Sequence, residues 1–216
     1  MTDQVDLADD SATRSRSIVL ILGIVVALVV GLAGGYLLKG WMVDRSGPNS
    51  VDIGFSQDMS VHHDQAVEMA GIALSNSSDP DVRSIAWDIV TSQSNQIGQM
   101  RGWLAEWQQP LFATDGYMTW MPMDGHDMTG MDMKMTTMPG MATQDQLSAL
   151  RAAKGKDFDV LFLTLMIAHH KGGAPMATYA IAHANTDVVR TLADSMSKTQ
   201  GYEVELMTKM LESRKS

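Results

Sequence analysis

The two halves of this chain superimpose on each other at a single offset of 107 residues, the step from His62 to His169. At that offset Phe55 falls on Phe162, Met59 on Met166, His62-His63 on His169-His170, Met69-Ala70 on Met176-Ala177, and Ala73 on Ala180. The register then holds without a gap: Val82 pairs with Val189, Arg83 with Arg190, Ala86 with Ala193, Gln93 with Gln200, Met100 with Met207 and Leu104 with Leu211. One unbroken offset marks two copies of one supersecondary unit. Apolar spacing predicts helices over 52–75, from Pro80 to about Gln108, over 143–153, near 157–184 and over 187–213. Asp79 is the expected cap of the second, with Pro80 in its first turn. Each copy is thus a helical hairpin with one apolar face. Neither hides that face alone, so an all-α four-helix bundle with a pseudo-twofold axis is expected.

Both copies read F-x3-M-x2-H-H-x5-M-A. On a helix, Met59, His62 and Met69 share a face, as do Met166, His169 and Met176, with His183 a further seven along. His63 and His170 point about 100° away from their neighbours, towards an adjacent helix or the bundle edge. The expected result is two imidazole–thioether clusters. Thioether sulfur is soft and suits Cu(I), and imidazole suits copper in both states, so the donor set favours copper, Cu(I) before Cu(II), over hard cations. A lone methionine or histidine on such a face is ordinary core. Packing does not, however, call for adjacent imidazoles twice over. A carboxylate di-iron site is excluded, because no Glu-x-x-His occurs and Pro175 stands where the first copy has Glu68. Pro175 should also kink its helix, next to Gly172 and Gly173. Glu203, opposite Gln96 in the first copy, is a candidate to hold an imidazole N–H from behind, the alternative being a partly exposed side chain with no such role.

Nineteen methionines are unevenly spread. Met118, Met121, Met123, Met128, Met131, Met133, Met135, Met138 and Met141 crowd around His126 in the loop 117–141. That loop holds no Leu, Ile or Val, so core filling explains it poorly; it reads as a flexible thioether trap for Cu(I), with His126 as a further ligand.

Ile18 to Leu38 is uncharged and apolar, and about 30 Å long as a helix, enough to cross a bilayer. The expected layout is a cytoplasmic tail at 1–17, a single-pass transmembrane signal anchor at 18–38 (a signal cleaved near Ala33, Gly34 and Gly35 being the alternative), a linker at 39–50 and the bundle at 51–214. Arg14 and Arg16 on one side balance Lys39 and Arg45 on the other, so flanking charge does not set orientation. A lone N-terminal anchor with a short tail is usually built with its N-terminus inside, which places the bundle outside the cytoplasmic membrane of a bacterium.

A net charge of −9 and the lack of a basic stripe exclude nucleic acid as a partner. With no cysteine there are no disulfides, thiolate zinc sites or blue-copper sites. No Ser-His-Asp spacing, phosphate loop or H-E-x-x-H motif is present, so no enzyme is expected.

The two M-x2-H-H-x5-M-A motifs, Phe158-Asp159 ahead of the second, and the Met/Gly-rich connector resemble the ferritin-like "domain of unknown function" family of bacterial exported proteins. The resemblance spans roughly residues 51–213. It implies a duplicated four-helix bundle, and some relatives are periplasmic copper-binding proteins linked to copper tolerance. By motif, Met59, His62, His63, Met69, Met166, His169, His170 and Met176 carry over. The departures are Pro175 in the second motif and Gln96 where a Glu is common. The expected function is extracytoplasmic copper sequestration, buffering or transfer, with the membrane and another copper-handling protein as partners. The alternatives are a metal-free partner-binding bundle and, less favoured, a metal-dependent enzyme.

Overall fold

A computed structural model describes residues 21, 23–32, 34–35, 47–122 and 135–215. The chain divides into two units, Met1–Ser46 and Gly47–Ser216. The described residues of the first unit are helical. Among the described residues no helix is long and apolar enough to cross a membrane. The expected span at 18–38 runs past the described residues at both ends, and the tail 1–17 and linker residues 39–46 lie outside them.

The second unit holds α1 (Ser50–Asn76), α2 (Pro80–Glu106), α3 (Gln144–Ala152), α4 (Gly155–His183) and α5 (Asp187–Lys215). It is all-helical among the described residues, apart from an isolated bridge between Tyr117 and Met135. The helices start where side chains satisfy free N–H groups. Asn49 accepts from Val51 and Asp52 N–H at 2.9 and 3.0 Å, and Asp52 accepts from Asn49 N–H in return, a capping box. Asp79 caps α2 with Pro80 in its first turn, as expected. Thr143 and Gln146 form the box that opens α3. Pro175 sits inside α4, which nevertheless runs on to His183.

α1 packs with α2 and α4 with α5, and the two hairpins join through α1 and α4. The duplication is visible in the core. One cluster gathers Phe55, Met59, Met100, Met176, Ala177, Ala180, Val189 and Ala193. The other gathers Phe162, Met166, Met207, Met69, Ala70, Ala73, Val82 and Ala86. The 107-residue offset, His62 to His169, turns each set into the other. Each cluster therefore mixes both halves, and neither hairpin could bury it alone. Leu147 and Leu150 of α3 close the second cluster, whereas Met118 and Met138 of the long loop close the first.

A duplicated aspartate ties the halves together. Asp52 on α1, fully buried, accepts from the N–H groups of Asn185 and Thr186 at 2.8 and 2.9 Å, where α5 begins. Its counterpart Asp159 on α4 accepts from Ser77 Oγ at 2.6 Å, where the chain turns into α2. Asp52 supplies more of these bonds, so Asp52→Ala should cost about 3 kcal/mol and Asp159→Ala about 1 kcal/mol in urea unfolding. Equal losses would contradict the unequal bracing.

Candidate metal centre

α1 and α4 bring the two His-His pairs to one place. The His62 and His169 rings lie with centroids 3.8 Å apart and planes 36° apart, and His169 and His170 are 6.2 Å apart. All four side chains are buried. Three of them have one ring nitrogen held from behind. His63 Nε2 lies 2.8 Å from Gln96 Oε1, His170 Nε2 lies 2.7 Å from Glu203 Oε2, and His62 Nε2 lies 3.1 Å from the Pro139 carbonyl. Each partner atom only accepts, so each Nε2 carries a proton and donates; in a neutral ring this places the lone pair on Nδ1. The other nitrogens, Nδ1 of His62, His63 and His170 and Nε2 of His169, are buried with no hydrogen-bond partner.

Burial disfavours the charged form of His62, His63 and His169. It is the main reason that His62 is lowered from 6.5 to about 4, with the charge of His170 adding to it and the Pro139 carbonyl opposing it. Burial, then the charges of His62 and His170, lowers His63 to about 3 against the support of Gln96. His169 falls well below its ordinary value through burial and then the charges of His62, His170 and His63. Neutral imidazole with an exposed lone pair is the form a metal takes up.

The thioethers pair across the motifs rather than within them. Met59 shares a core cluster with Met176, and Met69 shares the other with Met166. Along the helices one pair therefore lies on each side of the imidazoles. The antiparallel meeting of α1 and α4 brings the imidazoles of the two expected clusters to one place. Among the described residues no three or more His, Asp and Glu side chains form a ready cage for a metal.

His183 is not part of this centre. It is exposed, about 21 Å along α4 from His169, and its ring lies 4.2 Å from Tyr179. Glu203, by contrast, is buried and holds His170.

The described ends of the methionine loop are docked on the bundle. Met118 N–H and Trp120 Nε1–H both donate to buried Asp58, at 2.7 and 2.8 Å. Burial raises the Asp58 carboxyl above its ordinary value, against the pull of those two bonds. Trp120 sits against Gly54, where a Cβ would come within 2.3 Å of the indole, and lies 6.1 Å from Phe55 and 5.9 Å from Tyr179. On the return side Gln65 exchanges two hydrogen bonds with Ala142. Gly140 has φ +79, and a Cβ there would meet the Ala168 carbonyl at 2.5 Å. This close passage brings the Pro139 carbonyl to His62. Gly172 makes room for Pro139 and Gly140, and Gly173 makes room for the His62 ring.

Met118 and Met138 are buried in the cluster that contains Met59 and Met176, and Met121, Met135 and Met141 pack against it half-buried. Core filling, discounted from the sequence, is therefore a real role for the flanking methionines: a flexible thioether fills the gap an aliphatic side chain would otherwise take. Met123, His126, Met128, Met131 and Met133 lie outside the described residues. Asp58, Gln65, Gly54 and Gly140 were missed by the sequence reading. A signal existed for two of them: Leu165 stands opposite Asp58 and Gly172 opposite Gln65, so the copies differ where the loop docks.

Comparison with known proteins gives a consistent picture. The family described as Domain of unknown function (DUF305) matches residues 52–211. A DUF305 protein of Streptomyces coelicolor, named as a secreted protein, is 40% identical with a TM-score of 0.68, the match covering 77% of this chain and 94% of that one. A DUF305 fragment from Deinococcus radiodurans is 29% identical with a TM-score of 0.61, covering 76% and 97%. CopM in its Cu(II)-bound form is 27% identical with a TM-score of 0.57, covering 75% and 96%. CopM also has Cu(I)-bound, Ag-bound and apo structures. No curated protein sequence matches the chain.

The lowered imidazoles make the metal-free protein sensitive to acid. The unfolded chain takes up a proton at each ring near pH 6.5, whereas folded His62 and His63 resist until about 4 and about 3. Stability is therefore complete above pH 6.5 and falls as the pH drops from 6.5 towards 4, where the unfolded state binds more protons. His62 alone accounts for about 3 kcal/mol over that window. Urea unfolding at pH 7.5 and pH 4.5 should show a smaller acid loss for His62→Gln than for the parent chain; equal losses would contradict the account.

Proposed function

The chain belongs to the DUF305 family, and from that membership together with its buried imidazole centre we propose that it binds copper outside the cytoplasm. The observation that carries this reading is the set of four buried ring nitrogens without a partner, flanked by thioethers from both motifs. Copper is cargo here. The donors are Nδ1 of His62, His63 and His170, Nε2 of His169, and the sulfurs of Met59, Met69, Met166 and Met176. The protein's part is to keep His62, His63 and His169 neutral, to fix three of the four rings through Gln96, Glu203 and Pro139, and to exclude water.

Thioethers favour Cu(I) and need no thiol, which suits an oxidising compartment. That CopM is found with Cu(II), at 27% identity, supports copper as the ion. The S. coelicolor relative named as secreted supports an extracytoplasmic site. In this reading residues 18–38 anchor the chain in the cytoplasmic membrane, 51–214 face outward, and the loop methionines with His126 add lower-affinity sites. The protein sequesters or buffers copper, or passes it to another copper-handling protein, and performs no catalysis. Burial of Met118 and Met138 favours a second reading, a purely structural bundle whose loop methionines are packing.

Titration of the full chain with Cu(I) against a competing chelator separates the two. Replacing His62, His63, His169 and His170 by Ala should weaken binding at least about 100-fold, or about 2.7 kcal/mol, with circular dichroism reporting retained helix. A parent chain that leaves copper with the chelator, or a four-histidine variant of unchanged affinity, would favour the structural bundle.

A further inference from the structure

The duplication makes one contact twice with different charge. His63 with Gln96 and His170 with Glu203 are each 33 residues apart in sequence, and their Nε2-to-oxygen distances are 2.8 and 2.7 Å. In one half the imidazole leans on a neutral amide, in the other on a carboxylate. Glu203 and His170 are 6% and 1% exposed, so water screens that carboxylate poorly. Both Nδ1 atoms are buried and unpartnered.

We propose that Glu203 makes the two halves of the metal centre unequal, so that the His170 half favours divalent copper and the His63 half favours monovalent copper. The inference rests on the copper reading. A carboxylate behind an imidazole draws on its N–H and makes the opposite nitrogen a stronger donor. Its charge also favours the ion of higher charge at short range in a dry site. Gln96 gives its imidazole the same orientation without the charge. Glu203 touches no copper in this scheme; it is a positioning residue acting through His170.

Glu203→Gln and Gln96→Glu, in the full chain, exchange the charge while keeping side-chain size and a hydrogen-bond acceptor. The readouts are Cu(I) affinity without oxygen, Cu(II) affinity, the reduction potential of bound copper, and the ring-nitrogen chemical shifts of the metal-free protein. Glu203→Gln should weaken Cu(II) about 10- to 100-fold and leave Cu(I) nearly unchanged. Each tenfold change raises the potential by about 59 mV. Gln96→Glu should lower the potential, and it answers the question even if Glu203→Gln fails to fold. In the metal-free protein the His170 ring shifts should move in the first variant and those of His63 in the second. A potential unmoved in both variants, or Cu(I) and Cu(II) affinities falling together in Glu203→Gln, would overturn the inference. A parent chain that binds copper in neither state would overturn the copper reading itself, whereas copper bound at an unmoved potential overturns only the inequality of the halves.

Discussion

His62 and His169 stack across the meeting of α1 and α4, with His63 and His170 beside them, and all four rings are shut away from water. Each keeps one nitrogen without a hydrogen-bond partner. A buried polar atom left this way costs about 1–3 kcal/mol. Four of them approach the whole stability of an ordinary domain, about 5–15 kcal/mol. A chain selected only for a firm core would carry leucine at these positions, as it does at Leu165 one turn before His169. The bundle instead holds a local deficit that a metal ion, binding those same nitrogens, would remove. The low proton affinity of His62, His63 and His169 has the same origin, burial, so proton competition with a metal is weak down to acidic pH.

The surroundings hold this arrangement in place. The two core clusters exchange under the duplication, so each hairpin completes the other, and Asp52 and Asp159 fasten the start of each inner helix to the entry of the opposite hairpin's outer helix. Gln96 and Glu203 fix rings from the outer helices. The loop breaks the symmetry. It anchors by Trp120 on Asp58 and returns past Gly140, so that a backbone carbonyl, not a side chain, orients His62. One core cluster is thus closed by the aliphatic side chains of α3 and the other by methionines of the loop.

The helices, the pairing of the halves and the duplication of the His-His pair were legible in the sequence, because one gapless offset carries all three. Glu203 was legible too, as the residue opposite Gln96. How closely the two imidazole pairs meet was not, since periodicity gives the face of a helix and not which face it meets. The docking of the loop was hidden for a related reason. Asp58, Gln65 and Gly140 act through contacts far away in sequence, and the glycines at 54, 140 and 172 matter by the close approach they permit. The flanking methionines misled because a loop without aliphatic residues looked unable to join a core, yet Met118 and Met138 do so.

The central claim is that the imidazoles and thioethers gathered from both halves bind copper. X-ray absorption fine structure of the Cu(I)-loaded full chain tests it most directly. The account predicts sulfur and imidazole scattering in one spectrum, with the imidazole pattern lost when His62, His63, His169 and His170 are all replaced. A shell of oxygen alone, or of sulfur alone in the parent chain, would contradict it.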